Sequence, residues 1–423
     1  MLLRIFILLL VLIILPPIFM DRFLIKPLNK PRLRLLFFLP NIVMLIAAIL
    51  LTAFETYTPR NAIITNLFLT IFLGYVVTLA LLTFFFVIAH FVHHHLLLRR
   101  VLYALGILVA LINIYIIITG ITYGKYHVVV RHVVIYSPDL PDRFNGYRIV
   151  QLSDLHLGTY GSNPHFIQRV VRLVNQQHPD LIAFTGDLVN YNASELNPFM
   201  PFLSSIHAKN GVFSIFGNHD YMTYYKWATP NDQRANIRLL AQNERRMGWH
   251  LLLNQNQILR RDSDSIAILG VENDGLPPFP QHGNLKKALH GIPHSLHGKP
   301  FFKILLSHDP SHWRRKVLPD TDIQLMLAGH THGGQFRIFH FAPLPLLTAE
   351  SSGLYHQGQR KLYVSTGLGE ALLTFRYGVW PEIDIITLHK TASWQSNDTA
   401  LCFTRFFTRP RIFAFTSSSP VTA

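Results

Sequence analysis

The 423-residue chain contains a single cysteine, Cys402, and few charged residues. One cysteine excludes an intramolecular disulfide and a zinc site built from several cysteines, so any metal site must use His, Asp, Asn or Glu. Asp, Glu, Lys and Arg together make up 14% of the residues, whereas soluble domains average about 25%. This shortage of charge argues against a wholly soluble protein.

Acidic residues are scarcer than basic ones. The chain has 38 Lys and Arg against 23 Asp and Glu, which gives a formal net charge of +15 with its 23 histidines neutral. A basic excess can attract nucleic acid, an anionic membrane surface or an anionic substrate. No block of Lys and Arg typical of nucleic-acid binding is present, so we expect no nucleic-acid partner. A general basic bias in composition explains the excess equally well.

Four apolar runs fill the first third of the chain: Leu2 to Met20, Leu35 to Phe54, Ile63 to Phe91, and Val101 to Tyr123. A bilayer core about 30 Å thick is crossed by about 20 helical residues. The runs therefore predict a transmembrane region of four helices over residues 1–123, with the lipid bilayer as a partner. The first run could instead be a cleaved signal peptide, but no clear small-residue cleavage site follows it, and we favour a retained helix.

Strands and helices alternate after the apolar runs, which is typical of an α/β domain. Residues 128–130 and 133–135 suggest a pair of strands in a connector over residues 124–145. A domain over 146–390 and a loose tail over 391–423 follow. The strands predicted in that domain cover residues 149–152, 181–185, 212–216, 266–271, 304–306, 325–328, 362–364 and 383–388, and helices are predicted over 164–177 and 231–247.

Five short polar segments each follow a predicted strand: Asp154-Leu155-His156, Gly186-Asp187, Gly217-Asn218-His219-Asp220, Ser307-His308-Asp309, and Gly329-His330-Thr331-His332-Gly333. Ligands gather beyond the carboxyl ends of strands in α/β sheets, so these segments can converge on one point. Residues i and i+2 of an extended chain face the same side. Asp154 and His156 can therefore face one metal ion, and His330 and His332 can do the same. Carboxylate, amide and imidazole donors together suit Zn²⁺, Mn²⁺ or Fe.

These five segments, in this order, closely resemble the motifs of the calcineurin-like metallophosphoesterase superfamily. Residues 363–369 and 381–383 make the chain most similar to its membrane-associated bacterial branch, which includes the YkuE-type and YaeI-type phosphodiesterases. The resemblance implies a four-layer α/β/β/α sandwich behind the transmembrane helices. It also implies a bacterial inner or cell membrane as the location.

The resemblance further implies two divalent cations held by seven residues: Asp154, His156 and His332 on one side, Asn218, His308 and His330 on the other, and Asp187 bridging them. His219 would contact the scissile phosphate and protonate the leaving oxygen, and Asp220 would orient His219. Asn190 stands where related enzymes often have an acid, and Asp309 where Asn is common. We expect both departures to affect residues around the cations or the substrate, and not the cation ligands themselves.

The expected activity is hydrolysis of a phosphoester, in particular a phosphodiester or pyrophosphate. Membrane attachment motivates the hypothesis of a lipid-linked phosphorylated substrate. Related enzymes that cleave UDP-linked lipid precursors work in the cytoplasm, which conflicts with the orientation predicted below. The alternative is a membrane sensor or scaffold whose domain binds a phosphorylated ligand without turnover. The sequence leaves the oligomeric state open.

The orientation prediction rests on the charges between the apolar runs. The first loop carries Arg22, Lys26, Lys30, Arg32 and Arg34, the second carries Arg60, and the third carries Arg99 and Arg100. Loops rich in Lys and Arg stay in the cytoplasm, which assigns the first and third loops to that side. With four helices, the domain after Tyr123 would then lie outside the cytoplasm. We expect alkaline phosphatase fused to the C-terminus to be active in cells. A fused reporter that worked only in the cytoplasm would reverse this assignment.

Overall fold

The computed structural model describes residues 2–52, 59–339, 341–346 and 348–391 of the chain. The end of the second apolar run, at Ala53 and Phe54, lies outside the described residues. So does the predicted tail beyond Thr391.

The described N-terminal region contains these α-helices: α1 (Leu2–Met20), α2 (Pro31–Leu51), α3 (Pro59–Ile71), α4 (Val77–Phe91) and α5 (Leu96–Thr122). A π-helical turn, Phe72–Val76, joins α3 to α4. Four segments are long and apolar enough to cross a membrane: Phe6–Leu28, Pro31–Leu51, Asn61–Phe91 and Leu96–Tyr126. The prediction of four apolar helical segments is confirmed, and we call these segments spans one to four.

Polar side chains inside this bundle bond between helices. The Asn41 amide donates to the Tyr75 hydroxyl over 2.9 Å, and the Asn113 amide donates to the Thr78 hydroxyl over 2.9 Å. Large apolar side chains point outward, as at Leu97, which is 77% exposed. An apolar surface around polar groups that bond each other suits a lipid environment, which offers no hydrogen bonds of its own.

The rest of the described chain forms an α/β domain. Its elements in chain order are β1 (Val129–Ser137), β2 (Tyr147–Leu152), α6 (His165–Asn175), β3 (Leu181–Phe184), α7 (Met200–Leu203), β4 (Val212–Ser214), α8 (Pro230–Arg246), β5 (His250–Leu251), β6 (Gln255–Arg261), β7 (Asp264–Gly270), α9 (Leu285–Ala288), β8 (Ser295–Leu296), β9 (Lys299–Pro300), β10 (Lys303–Leu306), α10 (Leu318–Asp320), β11 (Leu325–Ala328), β12 (Gly353–Gln357), β13 (Arg360–Val364) and β14 (Glu382–Lys390).

Two six-stranded sheets make the centre of this domain. The first has the order β1-β14-β2-β3-β4-β5, and the second has the order β12-β13-β11-β10-β7-β6. Strands β2 to β5 run parallel in the first sheet, and β7, β10, β11 and β13 run parallel in the second. The carboxyl ends of the central strands of each sheet therefore lie along one edge.

Alternation of side chains along the strands creates three buried apolar layers. Ile149 of β2 and Ile304 of β10 point into the core between the sheets. The next residue of β2, Val150, faces the core that includes side chains of α6 and α8. Leu305 of β10 faces Trp313 on the other side of the second sheet. The predicted α/β/β/α sandwich is confirmed.

Strand β1 differs from the predicted strand pair. It is one continuous strand that pairs in parallel with β14 over its whole length. The chain stays extended through the polar residues Arg131 and His132 because their backbone belongs to this ladder. Arg131 also forms an ion pair with the buried Glu382 of β14, at 3.0 Å.

The spans contact the domain directly. Ile116 and Ile117 of α5 pack against Phe375, and residues Phe336 and Ile338 join the same apolar cluster. A 3-10 turn, Gly124–Tyr126, leads from α5 to β1. The loop after β11 and the loop before β14 thus lie against the membrane-spanning helices.

Candidate metal centre

The five polar segments lie where the sequence placed them, at the carboxyl ends of β2, β3, β4, β10 and β11. Three of these strands belong to the first sheet and two to the second. Their side chains form three groups of potential metal ligands whose donor atoms lie within 4.8 Å of one another: Asp154, His156 and His332; His156, Asp187 and His219; and Asp187, His308 and His330.

The first group joins β2 to β11. The His332 Nε2 atom lies 3.4 Å from the Asp154 Oδ1 atom and 3.2 Å from the His156 Nε2 atom. Both oxygens of Asp154 also accept from the backbone N–H of His330, over 3.1 and 3.0 Å. The Asp154 carboxylate therefore fixes the turn that carries His332.

The third group, together with the neighbouring Asn218, joins β3 and β4 to β10 and β11. The His308 Nε2 atom lies 3.1 Å from the Asp187 Oδ2 atom and 3.1 Å from the Asn218 Oδ1 atom. The ring of His330 lies 5.1 Å from that of His308, centroid to centroid. All four predicted residues of this side therefore come together.

Asp187 belongs to the third group and also lies close to His156 of the first. Its Oδ2 atom is 3.6 Å from His156 Nε2, in addition to its 3.1 Å approach to His308 Nε2. Its Oδ1 atom accepts from the His219 backbone N–H over 2.8 Å. A side chain at position 217 would prevent this arrangement, because a Cβ on Gly217 would stand 2.3 Å from Asp187 Oδ1.

The donor set fits a cation. His308 Nδ1 faces the Thr185 carbonyl at 2.7 Å, and a carbonyl only accepts, so the proton sits on Nδ1. The lone pair of Nε2 then faces two oxygens, from Asp187 and Asn218. Such a cluster of acceptors requires positive charge at its centre. Metal-ligating histidines commonly donate their other N–H to a carbonyl in this way.

Electrostatics in the metal-free protein point the same way. Burial lowers the pKa of His156, of His330 and of His332, and the Arg376 charge also lowers that of His332. Neutral imidazoles are the form that binds metal. Burial acts to lower the pKa of His308, but the Asp187 carboxylate outweighs it and raises that pKa. A proton on His308 thus supplies the positive charge that a cation would otherwise bring.

His219 lies beside these groups, and Asn190 contacts its ring. The His219 Nδ1 atom is 2.9 Å from the Asn190 carbonyl oxygen, so Nδ1 carries the proton and Nε2 is the nitrogen left to act. The ring stands perpendicular to that of His156, with centroids 4.7 Å apart. Proximity alone would also allow His219 to bind a cation.

Asp220 differs from the expectation that it orients His219. Its carboxylate accepts from the backbone N–H groups of Gly217, Asp187, Leu188 and Val189, over 2.8 to 3.2 Å. The bonds from Asp187, Leu188 and Val189 tie the turn after β4 to the turn after β3, and the bond from Gly217 closes the turn after β4 itself. The orienting contact to the His219 ring comes from the Asn190 carbonyl.

Asn190 and Asp309, the two residues that depart from the family pattern, both lie next to predicted site residues. Asn190 contacts His219 through its backbone carbonyl, and the half-buried Glu195 carboxylate accepts from the Asn190 N–H over 2.6 Å. The Asn192–Glu195 capping box is a recognisable sequence signal that could have identified this support. Asp309 Oδ2 lies 3.8 Å from His330 Nε2. Both positions therefore lie beside the predicted site residues.

Other contacts around the site had no local sequence signal. The Tyr224 hydroxyl accepts from the Asn218 amide over 3.0 Å. The Arg376 Nη2 atom lies 3.2 Å from His332 Nδ1. Asp274 is buried and paired with Arg315.

Comparison with known proteins gives the family. Residues 147–334 match the family described as calcineurin-like phosphoesterase. The metallophosphoesterase YkuE of Bacillus subtilis is 30% identical over 265 residues, which cover 61% of this chain and 84% of YkuE. A transmembrane protein with metallophosphoesterase domain from Danio rerio is 33% identical, over 59% of this chain and 54% of that protein. The UDP-2,3-diacylglucosamine pyrophosphatase LpxG of Chlamydia trachomatis is 30% identical, over 55% of this chain and 81% of LpxG. This chain thus spans about half the length of the zebrafish protein.

The Asp220 contacts generate a stability prediction. Asp220→Asn removes one acceptor oxygen and turns an amide N–H₂ toward backbone N–H donors. We expect a loss of about 3 kcal/mol, or roughly 5–10 °C in melting temperature, since a buried donor left unpaired costs about 1–3 kcal/mol and more at charged groups. Thermal unfolding in detergent, followed by intrinsic fluorescence, would measure it.

Asp232→Asn is the matched control, because Asp232 caps the exposed first turn of α8. It should lower the melting temperature far less than Asp220→Asn does. An Asp220→Asn protein with unchanged melting temperature and lost activity would instead support the original role in orienting His219.

Proposed function

This chain belongs to the calcineurin-like metallophosphoesterase family, and from that premise we propose that it hydrolyses phosphodiester or pyrophosphate bonds at a centre of two divalent cations. It is a metal-dependent phosphoester hydrolase with four segments able to cross a membrane. In this proposal, residues 146–390 form the hydrolase domain, residues 1–123 anchor it, and residues 124–145 connect the two.

The observation that carries the proposal is the position of the Asp187 carboxylate between two imidazoles. Its Oδ2 atom lies within 3.6 Å of both His156 Nε2 and His308 Nε2. Further ligand side chains stand on each side of it. A carboxylate can serve two cations at once, which an amide or an imidazole does less well.

Each side of Asp187 offers the ligands for one cation. Asp154, His156 and His332 would hold one, and Asn218, His308 and His330 would hold the other. Cations bound there would supply positive charge that offsets the charge on the phosphate and lowers the pKa of a water. The mixed nitrogen and oxygen donors suit Zn²⁺, Mn²⁺ or Fe.

His219 is the proposed proton donor. The Asn190 carbonyl holds its Nδ1–H, which fixes the ring and leaves Nε2 to give a proton to the leaving oxygen. Asp187 accepts the His219 backbone N–H, so the donor and the proposed bridging ligand are fixed to each other. Histidine is the side chain that most often serves as a general acid.

The position of the site beside the spans supports an amphiphilic substrate. Phe336 follows His332 by four residues, at most about 14 Å of extended chain, and packs in the cluster that includes Ile116 of span four. Beside that contact, Phe339 is 93% exposed, Phe341 59% and Leu372 60%. We call Phe339, Phe341 and Leu372 the apolar rim. Its continuity with the spans suits insertion into the bilayer beside the site.

A cavity adds to this support. It has a volume of about 420 Å³ and is lined by Tyr126 at the end of span four, together with Thr159, Tyr160, Phe166 and Arg169. Thr159 accepts from the Asn190 side chain over 3.4 Å, and Asn190 holds His219. The cavity thus lies between the membrane end of the domain and the proposed proton donor, where a polar headgroup would fit.

LpxG supports a lipid-linked substrate, because its name describes cleavage of a diacylated UDP-sugar. The proposed substrate class for this chain is therefore a phosphodiester or pyrophosphate with a lipid tail. The predicted extracytoplasmic orientation, in a bacterial inner or cell membrane, favours a lipid-linked phosphate exposed on that side over a nucleotide-linked precursor.

Activity is predicted to depend on Asp187 and His219 in different ways. With Mn²⁺ and a bis-aryl phosphodiester, Asp187→Asn should lose bound metal and turnover together. His219→Ala should keep its metal and lose about 10²–10⁴-fold in kcat, the usual contribution of general acid catalysis. Elemental analysis and steady-state kinetics on the full-length protein would measure both.

His207→Ala is the control, because His207 is an exposed histidine in the same domain. It should change neither quantity. Loss of metal in His219→Ala would make His219 a ligand. Metal binding without turnover on any ester would favour the sensor over the hydrolase.

The apolar rim is predicted to affect the rate of cleavage of lipid substrates only. Phe339→Ser with Phe341→Ser should lower kcat/KM for a long-chain substrate in nanodiscs by about tenfold or more, since burying one such side chain contributes about 1.5–3 kcal/mol. A short-chain substrate with the same headgroup should be cleaved at the wild-type rate.

Leu239→Ser provides the comparison, because Leu239 is an exposed apolar residue on α8. It should leave both rates unchanged. Equal losses on the two substrates would indicate damage to the site, and no loss on either would remove the argument for lipid substrates.

A further inference from the structure

Arg376 is a fully buried arginine between the candidate metal centre and span four. Its Nε atom donates to the Gly369 carbonyl over 3.1 Å, and its Nη2 atom donates to the Thr366 carbonyl over 2.8 Å. The same Nη2 atom lies 3.2 Å from His332 Nδ1. Burying a guanidinium is costly unless its N–H groups are bonded. Here both Nε and Nη2 donate to backbone carbonyls.

The carbonyls that Arg376 holds belong to a segment that contacts Asp154. The Leu368 N–H donates to the Ser153 carbonyl over 3.0 Å, and the Gly369 N–H donates to the Asp154 carbonyl over 2.6 Å. One guanidinium therefore fixes the strand end that carries Asp154 and also contacts His332. Both residues belong to the same proposed cation side.

The backbone of Arg376 is attached to the membrane helix. Its N–H donates to the Gly120 carbonyl over 3.2 Å. Gly120 lies in the last turn of α5, where carbonyls have no partner within the helix. A Cβ on Gly120 would stand 2.2 Å from the Phe375 ring, and one on Gly124 would stand 1.8 Å from the Arg376 carbonyl oxygen. The end of span four is thus shaped to receive Phe375 and Arg376.

We propose that Arg376 is a positioning residue that ties the Asp154–His156–His332 side of the metal centre to the last turn of span four. The inference rests on the ligand assignment in the proposed function. It makes the membrane helix part of the support of the site, because the guanidinium, docked through its backbone on Gly120, holds residues 366–369, whose N–H groups bond Ser153 and Asp154. Lysine cannot replace it, since a single ammonium cannot span acceptors that a planar fork reaches.

The test uses the full-length protein in nanodiscs with Mn²⁺ as the probe, titrated by electron paramagnetic resonance and checked by elemental analysis. The wild type should bind two Mn²⁺ per chain. Arg376→Lys should keep one site unchanged and raise the Kd of the other by roughly 10–100-fold, the usual effect of losing a residue that supports a metal ligand. His332→Ala should weaken the same site.

Arg360→Lys is the matched control. Arg360 also bonds several backbone carbonyls, those of Ile323, Leu318 and Val317, but at the other face of the second sheet. It should leave both Mn²⁺ affinities unchanged. Unchanged affinities in Arg376→Lys, or the same loss in both arginine variants, would overturn the inference while the proposed function stands. A wild type that binds no Mn²⁺ would overturn both.

A second pair of variants tests the docking if Arg376→Lys does not fold. Gly120→Ala keeps the arginine side chain but displaces Phe375 and so undocks the Arg376 backbone from the helix. It should therefore weaken the same Mn²⁺ site several-fold. Gly106→Ala is the control, because a Cβ there meets Phe85 at 2.9 Å in the same helix, away from the domain. Equal effects of the two glycine variants would mean that general damage to the bundle, and not the docking of Arg376, controls metal binding.

Discussion

A buried carboxylate shared between two imidazoles is the constraint on which the site depends. Asp187 follows a strand of the first sheet, whereas His308 follows a strand of the second, so their 3.1 Å contact holds together the ends of both sheets. The facing atoms are acceptors, and acceptors alone repel each other. Positive charge must therefore occupy the centre, as a proton on His308 or as a cation. The sandwich brings the ligands together, but the charge stabilises them there.

The membrane spans take part in this arrangement and do more than tether the domain. The loop that follows His332 packs against span four through Phe336, and the loop before β14 does so through Phe375. Span four continues into β1 after one short turn, and β1 pairs with β14. The proposed substrate access and the proposed support of the metal ligands consequently share one surface. Under the proposed function, a hydrolase built in this way would have its chemistry close to the bilayer, which would suit a substrate that lies there.

Local signals predicted most of the fold and indicated residues that the structure brings close together. Apolar run length indicated the spans, and polar residues just after strands indicated the edge where ligands meet. The rest depends on partners distant in the chain. Strand β1 continues through Arg131 because β14 pairs with it about 250 residues later. The edge strands β6 and β12 are largely polar and exposed, so they carry little apolar pattern. Asp220 bonds backbone groups of residues 187–189, and no spacing rule reveals backbone partners.

Three of the five segments share an uncommon backbone conformation. The residues Asp154, His156, Asp187, His330 and His332 all have positive φ, between 46° and 73°. Such conformations cost of order 1–3 kcal/mol each and persist only where surrounding contacts impose them. Here the segments impose them on each other: Asp154 N–H bonds the Gly186 carbonyl, and His156 N–H bonds the Asp187 carbonyl. No single turn could hold its conformation alone, so the ligand geometry is a property of both sheets together. The same interdependence would allow an arginine at the edge of the site, docked on a membrane helix, to influence a proposed cation ligand.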